Sequence, residues 1–370
     1  MRGVLTEEQL YLRKTVRELL ADRAARTTVP ERAADYDREL WSVMAQQVGL
    51  HGLAVPERYG GAGFGPVELA VVFEEMGAVL LSGPFFASAG LAVPALLASG
   101  DEQACAEYVP GMVSGDRIGT LALTEDGGRW DEQGIGMAAT RRDGWRLSGR
   151  KTYVLDGCAA DFLVVAGRTA AGVSLFAVES TAPGLTRVPV ESLDPTRSLA
   201  TVTFDATPAR LLGEEGAGWP ALSRTLDLGA VYLANEQVGA ARRSLDMAVD
   251  YARTRVQFGR PIGSFQAIKH KCADLLVAVE LAGSAALFAA EAAAEDSPEA
   301  PALASMAKAV CSESFVRCAT ENIQIHGGIG FTWEHPAHLY FKRARASEVL
   351  LGTPAYHRRL LAARGADGLP

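Results

Sequence analysis

The sequence has no excess of positive charge. Its 370 residues contain 36 Lys and Arg against 44 Asp and Glu, which gives a formal net charge of −8 at pH 7. A protein that attracts nucleic acid or an anionic lipid surface through a general basic field needs the opposite balance, so neither partner is predicted. Any phosphate-bearing ligand must be held by a few local residues.

Cysteine is also scarce. The five cysteines are odd in number and scattered, with no CxxC pair and no ligand-like spacing to histidines. This pattern gives no disulfide framework and no metal site. A reducing cytoplasm is the simplest setting for such a chain, and we predict a cytoplasmic location.

Long apolar runs are missing as well. No segment approaches the roughly 20 apolar residues that a membrane-spanning helix needs. The first residues include Glu7, Glu8, Arg13 and Lys14 where a signal peptide has an apolar core. We therefore expect neither export nor insertion into a membrane.

What is present divides into three regions. Residues 1–115 show helical periodicity with Thr6 as a candidate N-cap, residues 116–220 contain short β-rich runs, and residues 221–370 return to alanine-rich helical segments. We predict an α+β fold with an N-terminal helical domain, a middle antiparallel β domain and a C-terminal helix bundle. Clefts between such layers commonly bind ligands.

These predictions rest on individual segments. The predicted helical segments are Val67–Leu81, Ala230–Phe258, Ile268–Glu295 and Ala302–Ile325, and the predicted strand runs are Trp145–Leu147, Phe162–Val165, Val173–Val178 and Ala200–Phe204. Glycine-rich Pro56–Pro66 and acidic, proline-containing Ala294–Pro301 are predicted to be loops between helices.

The first chemically informative motif runs from Tyr251 to Gln266. It places Arg255 and Phe258 three residues apart at the end of a predicted helix, so that the cation and the ring share one face. A guanidinium that forks onto phosphate oxygens beside an aromatic ring suits a diphosphate attached to a flat ring system. An ordinary arginine at a helix end is the alternative interpretation.

The second motif is Gln324–Phe331, with the sequence QIHGGIGF. Three glycines within four residues leave backbone amides open to the close approach of an anion or a carbonyl group. Taken alone, the motif also fits a simple helix end followed by a turn.

Together and in this order, RxxFG-x-PI-x-x-FQ and QxHGGxGF resemble the acyl-CoA dehydrogenase family, and the resemblance covers nearly the whole chain. It implies an N-terminal helical domain, a middle β domain and a C-terminal four-helix bundle, with FAD as cofactor. It also implies that matching residues contact the FAD diphosphate and adenosine, largely across a subunit boundary. Those residues are Arg255, Phe258, Gln266, Gln324, Gly327 and Gly328.

The segments expected against the flavin ring depart from the family pattern. The family's T-E-P-x-A-G-S-D reads TEDGGRWD from Thr124 to Asp131, and its W-I-T-N resembles Tyr153–Asp156, where Leu155 replaces the hydroxyl that bonds flavin N5. Thr124 and Tyr153 remain candidate cofactor-binding residues, together with Thr353. Tyr153 has an alternative interpretation as a strand aromatic that packs within its own domain.

The family reaction needs a carboxylate that removes the α-proton of an acyl thioester. Many members carry it in Y-E-G-T, which reads Leu350–Thr353 here, and Leu351 cannot take a proton. Its backbone N–H remains able to bond the thioester carbonyl. Other members place the base at a position that matches Gly229, which is not an acid either.

Glu236 is the candidate replacement base. It lies seven residues after Gly229, on nearly the same helix face, and about 10 Å farther along the axis. Its helical neighbours are apolar, so desolvation is expected to raise its pKa, as a general base near neutrality requires. The alternative is a structural acid paired with Arg243 or with a neighbouring helix, and Glu348 is a weaker candidate base.

Two main hypotheses follow. In the first, the chain oxidises an acyl thioester, carried by CoA or an acyl-carrier protein, with Glu236 as base and an electron-transfer flavoprotein as acceptor. In the second, the chain is a catalytically silent partner subunit of a heteromeric dehydrogenase and contributes contacts to the FAD diphosphate. A homo-oligomer fits the first hypothesis, and flavin enzymes of the same fold that use oxygen are a third possibility.

Overall fold

The computed structural model describes residues 3–24 and 36–366, so the outermost limits of the predicted domains, residues 1 and 370, lie outside it. Within the described residues the predicted order of a helical layer, a β domain and a second helical layer is confirmed. The predicted boundaries at residues 115 and 220 stay predictions. The N-terminal helices are α1 (Glu7–Ala24), α2 (Arg38–Ser42), α3 (Pro66–Ala78), α4 (Val93–Ala98) and α5 (Glu102–Val113).

The N-terminal layer follows its local signals. The Thr6 hydroxyl accepts a hydrogen bond from the Gln9 N–H at 3.2 Å, and the Gln9 side chain accepts one from the Thr6 N–H at 2.9 Å. This reciprocal capping box begins α1 and confirms the predicted N-cap. A π-helical segment, Phe86–Ala92, runs directly into α4.

The middle domain is a seven-stranded sheet. Its strands are β1 (Gly119–Ala122), β2 (Ala138–Arg141), β3 (Trp145–Leu155), β4 (Phe162–Thr169), β5 (Gly172–Glu179), β6 (Leu185–Val190) and β7 (Leu199–Leu212). All four predicted strand runs fall inside these strands. The order is β1-β4-β2-β3-β7-β5, and because β4 also pairs with β5, five of the strands close on themselves.

The predicted antiparallel β domain also contains two parallel pairings. Strands β1 and β2 both run parallel to β4, while the remaining pairs are antiparallel. A parallel pair needs a long crossover between its strands, and the segment from Leu123 to Asp161 provides one for β1 and β4. The sequence did not predict the parallel pairings, because a short apolar run does not indicate in which direction a strand pairs with its neighbour.

The C-terminal layer contains three long helices and two shorter ones. These are α6 (Gly218–Thr254), α7 (Gln266–Ala294), α8 (Ala300–His326), α9 (Ala337–Val349) and α10 (Pro354–Ala366), with a two-stranded hairpin β8 (Val256–Gln257) and β9 (Arg260–Pro261) between α6 and α7. Helix α6 begins twelve residues before its predicted start and is 37 residues long, about 55 Å. It packs against α3 and α4 of the N-terminal layer and against α7, α8 and α9 of its own layer.

Helices α3 and α6 cross in direct backbone contact. A Cβ added to Gly77 would lie 1.9 Å from the Glu236 carbonyl oxygen, and one added to Gly239 would lie 1.8 Å from the Glu74 carbonyl oxygen. No side chain fits at either position, because both distances are far below van der Waals contact. These two glycines set how closely the N-terminal and C-terminal layers pack.

Helix α7 presents an apolar face to the outside. By length and composition alone, α7 is able to span a membrane. Only 28% of its most apolar 18-residue stretch is buried within the chain. The exposed apolar side chains are Leu276, Val277, Leu281 and Phe288. A single helix of this kind is weak evidence for a membrane, because a core helix of a protein has the same composition. The absence of a membrane partner stays a prediction.

Candidate functional site

The end of the helical bundle gathers one group of predicted residues. Helix α6 ends, α7 begins and α8 ends here, and the rings of Tyr251 and His326 stack with centroids 4.3 Å apart. Behind them Ala248, Ala252 and Ile325 form a small buried cluster. This packing holds the two sequence motifs side by side.

Six of the predicted cofactor-binding residues are exposed at this end, and we call them the diphosphate face. They are Arg255, Phe258, Gln266, Gln324, Gly327 and Gly328. Within the described chain Arg255 makes no ion pair, and a Cβ added to Gly328 would meet nothing within 4 Å. The face therefore offers an unpaired guanidinium and open backbone, which suits an anionic ligand.

The prediction that Arg255 and Phe258 share a helix face is wrong. Helix α6 ends at Thr254, Arg255 is its extended C-cap residue, and Phe258 lies in the turn of the β8–β9 hairpin. Phe258 and Gly259 have φ of 54° and 75°, as a tight hairpin turn requires of both central residues. The Phe258 side chain is 91% exposed, so the turn holds an aromatic ring out in solvent.

A second group lies at a cleft of about 580 Å³ between the middle domain and the start of α10. The cleft is lined by residues 128–131, by the turn that contains Gly352 and Thr353, and by Tyr356 and Arg359. Thr353 is exposed there, whereas the Thr124 hydroxyl is buried and donates a hydrogen bond to the Thr152 carbonyl at 2.6 Å. The Thr124 side chain thus has no free donor for a cofactor.

The loop that departs from the family pattern is tied down. The Tyr356 hydroxyl donates to the Trp130 carbonyl at 3.2 Å, and Arg129 pairs with Asp131 at 2.8 Å. Asp131 also accepts a hydrogen bond from the Gly134 N–H at 3.0 Å. The loop is held by its own residues and by α10.

Backbone strain marks the segments that are predicted to lie against the flavin ring. Tyr153, Asp156 and Leu351 have positive φ of 55°, 49° and 59° although none of them is glycine. Such residues are uncommon and cluster at binding and catalytic sites. Tyr153 is 49% exposed, so its ring is available to a ligand.

The two positions at which the family resemblance implies a base come together. A Cβ added to Gly229 would lie 2.7 Å from Leu91 Cδ2 and 3.1 Å from Leu351 Cδ1. Leu91 and Leu351 are both 3% exposed. The place expected for a catalytic carboxylate is therefore filled by two leucine side chains.

A buried lysine lies beneath the Leu350–Thr353 turn. Lys308 Nζ donates to the carbonyl oxygens of Ser347, Glu348 and Gly352 at 3.1–3.2 Å and to Ser312 at 2.9 Å. Burial lowers the pKa of Lys308 to about 7. Sequence reasoning missed this residue, since a lysine within an alanine-rich helix reads as a surface residue.

Glu236 does not have the environment that the sequence predicted. Its carboxylate accepts hydrogen bonds from Arg197 at 2.5 and 2.7 Å and from Arg343 at 2.9 Å. Burial alone raises the pKa of Glu236, but the charges of the two arginines outweigh burial and the pKa is lowered. The predicted raised pKa is wrong, and neither arginine is the predicted Arg243.

Glu236 belongs to a buried charge cluster that joins all three regions. Arg343 also binds Asp194 at 2.7 Å, and the Arg197 guanidinium lies 5.1 Å from the Phe86 ring centroid. Asp156 faces the same small cavity of about 20 Å³, and burial raises its pKa to about 7 against the opposing charges of both arginines. Sequence analysis did not single out Asp194, Arg197 or Arg343, because their partners are far apart in the chain.

The two groups of predicted cofactor residues are distinct places on one chain. Helix α9 begins just after the QxHGGxGF turn and ends just before Leu350, and its 13 residues span about 20 Å. One chain therefore presents two open patches instead of one enclosed site. Among residues 3–24 and 36–366 no group of three metal-ligating side chains occurs, and all five cysteines are free.

Comparison with known families accounts for nearly the whole chain. The acyl-CoA dehydrogenase N-terminal, middle and C-terminal domain families match residues 6–116, 120–206 and 216–366. Acyl-CoA dehydrogenase IpdE2 of Mycobacterium tuberculosis is 37% identical over 359 residues, which cover 94% of each chain.

Solved structures agree. The butyryl-CoA dehydrogenase of Megasphaera elsdenii superposes with a TM-score of 0.92 at 27% identity, covering 99% of this chain and all of that one. A chain of the ChsE4–ChsE5 complex of Mycobacterium tuberculosis superposes with a TM-score of 0.91 at 29% identity, covering 100% of both.

The family and structure matches identify a flavin-dependent oxidoreductase that acts on CH–CH groups, with FAD as its cofactor. The chain belongs to the acyl-CoA dehydrogenase family.

Proposed function

We propose that this chain is a subunit of a heteromeric acyl-CoA dehydrogenase, in which it holds the FAD diphosphate while a partner chain supplies the flavin-ring site and the base. The observation that carries the proposal is the contact of Gly229, Leu91 and Leu351, because it fills the place of the base with apolar side chains. Leu155 in place of the hydroxyl at flavin N5 points the same way.

The diphosphate face fits this role. The Arg255 guanidinium is exposed and unpaired, so it is free to fork onto phosphate oxygens, and Gln266 and Gln324 add neutral amide donors beside it. Gly327, with φ of 64° and ψ of −141°, adopts a conformation that is nearly confined to glycine and turns the backbone after α8. When bound, FAD supplies the acceptor for a hydride from Cβ of the acyl thioester.

Exposed apolar side chains support association with another subunit. Phe258 of the diphosphate face is 91% exposed, and Phe331 and Trp333, which follow its glycines in the chain, are 76% and 75% exposed. The apolar face of α7 adds a larger surface of the same kind. Patches of this kind commonly mark contacts between proteins, and the similar ChsE4–ChsE5 chain comes from a complex of two proteins.

The alternative is a self-sufficient dehydrogenase with Glu236 as its base.

 It is favoured by the close superposition on butyryl-CoA dehydrogenase, which is itself named as an enzyme. It requires Glu236 to act on substrate while both of its oxygens are bonded to arginines, and those bonds stabilise the charged, weakly basic form. We therefore assign Glu236 a structural role.

The substrate class and partners complete the proposal. The substrate is an acyl thioester, carried by CoA or by an acyl-carrier protein, and an electron-transfer flavoprotein accepts the electrons in the cytoplasm. No nucleic acid and no membrane takes part. The family resemblance and the net charge of −8 support these assignments.

The test is to purify the chain alone and together with a second acyl-CoA dehydrogenase chain of the same source. We expect the chain alone to be colourless and the co-purified complex to carry the visible absorption of oxidised flavin. Arg255→Ala in this chain should lower the FAD content of the complex several-fold. Arg253→Ala is the matched control, since Arg253 is an exposed arginine in the last turn of the same helix.

Two results contradict the proposal. A chain purified alone that holds FAD and oxidises an acyl-CoA is a self-sufficient enzyme. An unchanged FAD content in a folded complex with Arg255→Ala shows that the diphosphate face does not hold the cofactor.

A further inference from the structure

A second cavity lies away from both predicted cofactor patches. It has a volume of about 410 Å³ and is enclosed by the N-terminal layer on one side and by α6 on the other. Most of its walls are aliphatic, and they include Val55, Leu69, Val93, Leu97 and Leu228. It shares no residue with the diphosphate face or with the cleft beside Thr353.

One buried polar group at this cavity has no partner. Tyr232 lines the cavity and is 2% exposed, and its hydroxyl makes no hydrogen bond within the described chain. Its ring stacks on Phe73 with centroids 5.2 Å apart, which fixes the direction of the hydroxyl. Because Tyr232 lines the cavity, its hydroxyl is available to bond a polar atom of a ligand there.

A second polar side chain, His51, also lines the cavity and is 4% exposed. The Met112 backbone lies within hydrogen-bonding reach of its ring. Its ring packs 4.0 Å from the Trp41 centroid, and burial lowers the pKa of His51 to about 4. The imidazole is therefore neutral at pH 7 and adds no charge to this end of the cavity.

The other end of the cavity carries a cation. Arg224 lines it, is 62% exposed, and pairs with Asp296, which is 72% exposed. An exposed pair of this kind contributes little, so Arg224 is free to exchange its partner for a ligand carboxylate. Arg224 and Tyr232 are eight residues apart on α6, which places their backbones about 12 Å apart along the helix axis.

We propose that this cavity binds an elongated monocarboxylate whose carboxylate pairs with Arg224, whose apolar chain lies along the aliphatic walls, and whose far end carries an oxygen that bonds Tyr232. The ligand is a free acid and not a thioester, because a carboxylate carries the negative charge that pairs with Arg224 and a thioester group carries none. This site is separate from dehydrogenation and does not depend on the function proposed above.

The test uses isothermal titration calorimetry on the full chain, in its complex if the chain is purified that way. The probes are decanoate and ω-hydroxydecanoate, which differ only in the oxygen at the far end. We expect one saturable site for each probe, with ω-hydroxydecanoate bound roughly five-fold more tightly, the contribution of about one hydrogen bond.

Three variants assign the contacts. Arg224→Gln should weaken both probes at least five-fold, and Tyr232→Phe should abolish the advantage of the hydroxylated probe while leaving decanoate binding unchanged. Arg242→Gln is the matched control, since Arg242 is an exposed, ion-paired arginine on the same helix, and it should have no effect.

Three results overturn the proposal. One is the absence of saturable binding of either probe below about 1 mM. Another is an equal effect of Arg224→Gln and Arg242→Gln, which would show a nonspecific attraction to charge. The third is displacement of the probes by octanoyl-CoA, which would place the cavity within the thioester site. FAD content and turnover are measured separately, so none of these results bears on the proposed subunit role.

Discussion

Gly229 and Leu351 lie against each other, with 3.1 Å between a Cβ added to Gly229 and Leu351 Cδ1. They are the two positions at which the resemblance to acyl-CoA dehydrogenases implies a catalytic carboxylate. Helix α6 and the distant Leu350–Thr353 turn thus meet at one point. A carboxylate on either element would be able to take a proton from the same substrate carbon. In this chain the helix presents Gly229, which has no side chain, and the turn presents the apolar side chain of Leu351.

The buried charge cluster should dominate stability in this part of the molecule. Arg343→Met removes the partner of Asp194 and Glu236 and leaves acids buried with fewer counter-charges. We expect a loss of about 3–5 kcal/mol in the free energy of unfolding. Urea denaturation measures it, and Arg345→Met, at an exposed arginine paired with Glu348, should change stability by less than about 0.5 kcal/mol. Equal effects of the two variants would show that the cluster contributes no more than a surface pair.

Glu236→Gln should affect stability and spare turnover. It removes the negative charge between Arg197 and Arg343, so we expect a loss of about 2 kcal/mol or more in the free energy of unfolding. A positioned base contributes on the order of 10²–10⁴ in rate. Anaerobic flavin bleaching by substrate, at matched FAD content, should therefore slow less than ten-fold. A hundred-fold slower rate would restore Glu236 as the base.

Asp156 should make stability depend on pH. Burial raises its pKa from 3.8 to about 7 in the folded chain, so the folded state keeps a proton that the unfolded state releases. Its contribution to stability therefore falls as pH rises from about 4 to 7 and is constant above that range.

Asp156→Asn, which restores the residue of the family's W-I-T-N pattern, removes this loss. Relative to the original chain, the variant should be more stable by about 2 kcal/mol or more at pH 8 and nearly unchanged at pH 4. Thermal unfolding across this pH range measures the difference. A difference that does not vary with pH would show that Asp156 is ionised in the folded chain.

Lys308 should hold the Leu350–Thr353 turn in place. Its ammonium binds three carbonyl oxygens of residues 347–352, so Lys308→Met leaves those carbonyls without their common donor. We expect amide hydrogen exchange in residues 347–353 to become at least ten-fold faster, while exchange in β4 and β5 is unchanged. Lys271→Met, at a half-exposed lysine paired with Glu321, is the control and should leave the turn unaffected.

The sequence predicted local structure well where neighbouring residues decide it. Thr6 caps α1, the four strand runs lie in β3, β4, β5 and β7, and the acidic loop separates α7 from α8, because each depends on short-range periodicity or turn chemistry. The prediction that Arg255 and Phe258 share a helix face was wrong for a local reason as well. The tight turn at Gly259 ends the helix earlier than the apolar pattern suggested.

The site was harder to predict because its contacts are distant in the chain. Glu236 appears as a lone acid among apolar helical neighbours, but its partners Arg197 and Arg343 lie 39 and 107 residues away. The contact of Gly229 with Leu351 is equally invisible to periodicity. Motif resemblance predicted the residues of the diphosphate face, whereas only three-dimensional packing reveals which charges meet in the interior.

The glycine crossing of α3 and α6 has a consequence for how such a chain can diverge. Because Gly77 and Gly239 each face a carbonyl oxygen of the opposite helix, the distance between the two helices is set by peptide geometry and not by the bulk of side chains. Surrounding core residues are then able to change in size, one compensating another, without moving α6 relative to the N-terminal layer. Catalytic residues can be lost from such a scaffold while its outer surfaces keep the shape that a partner recognises.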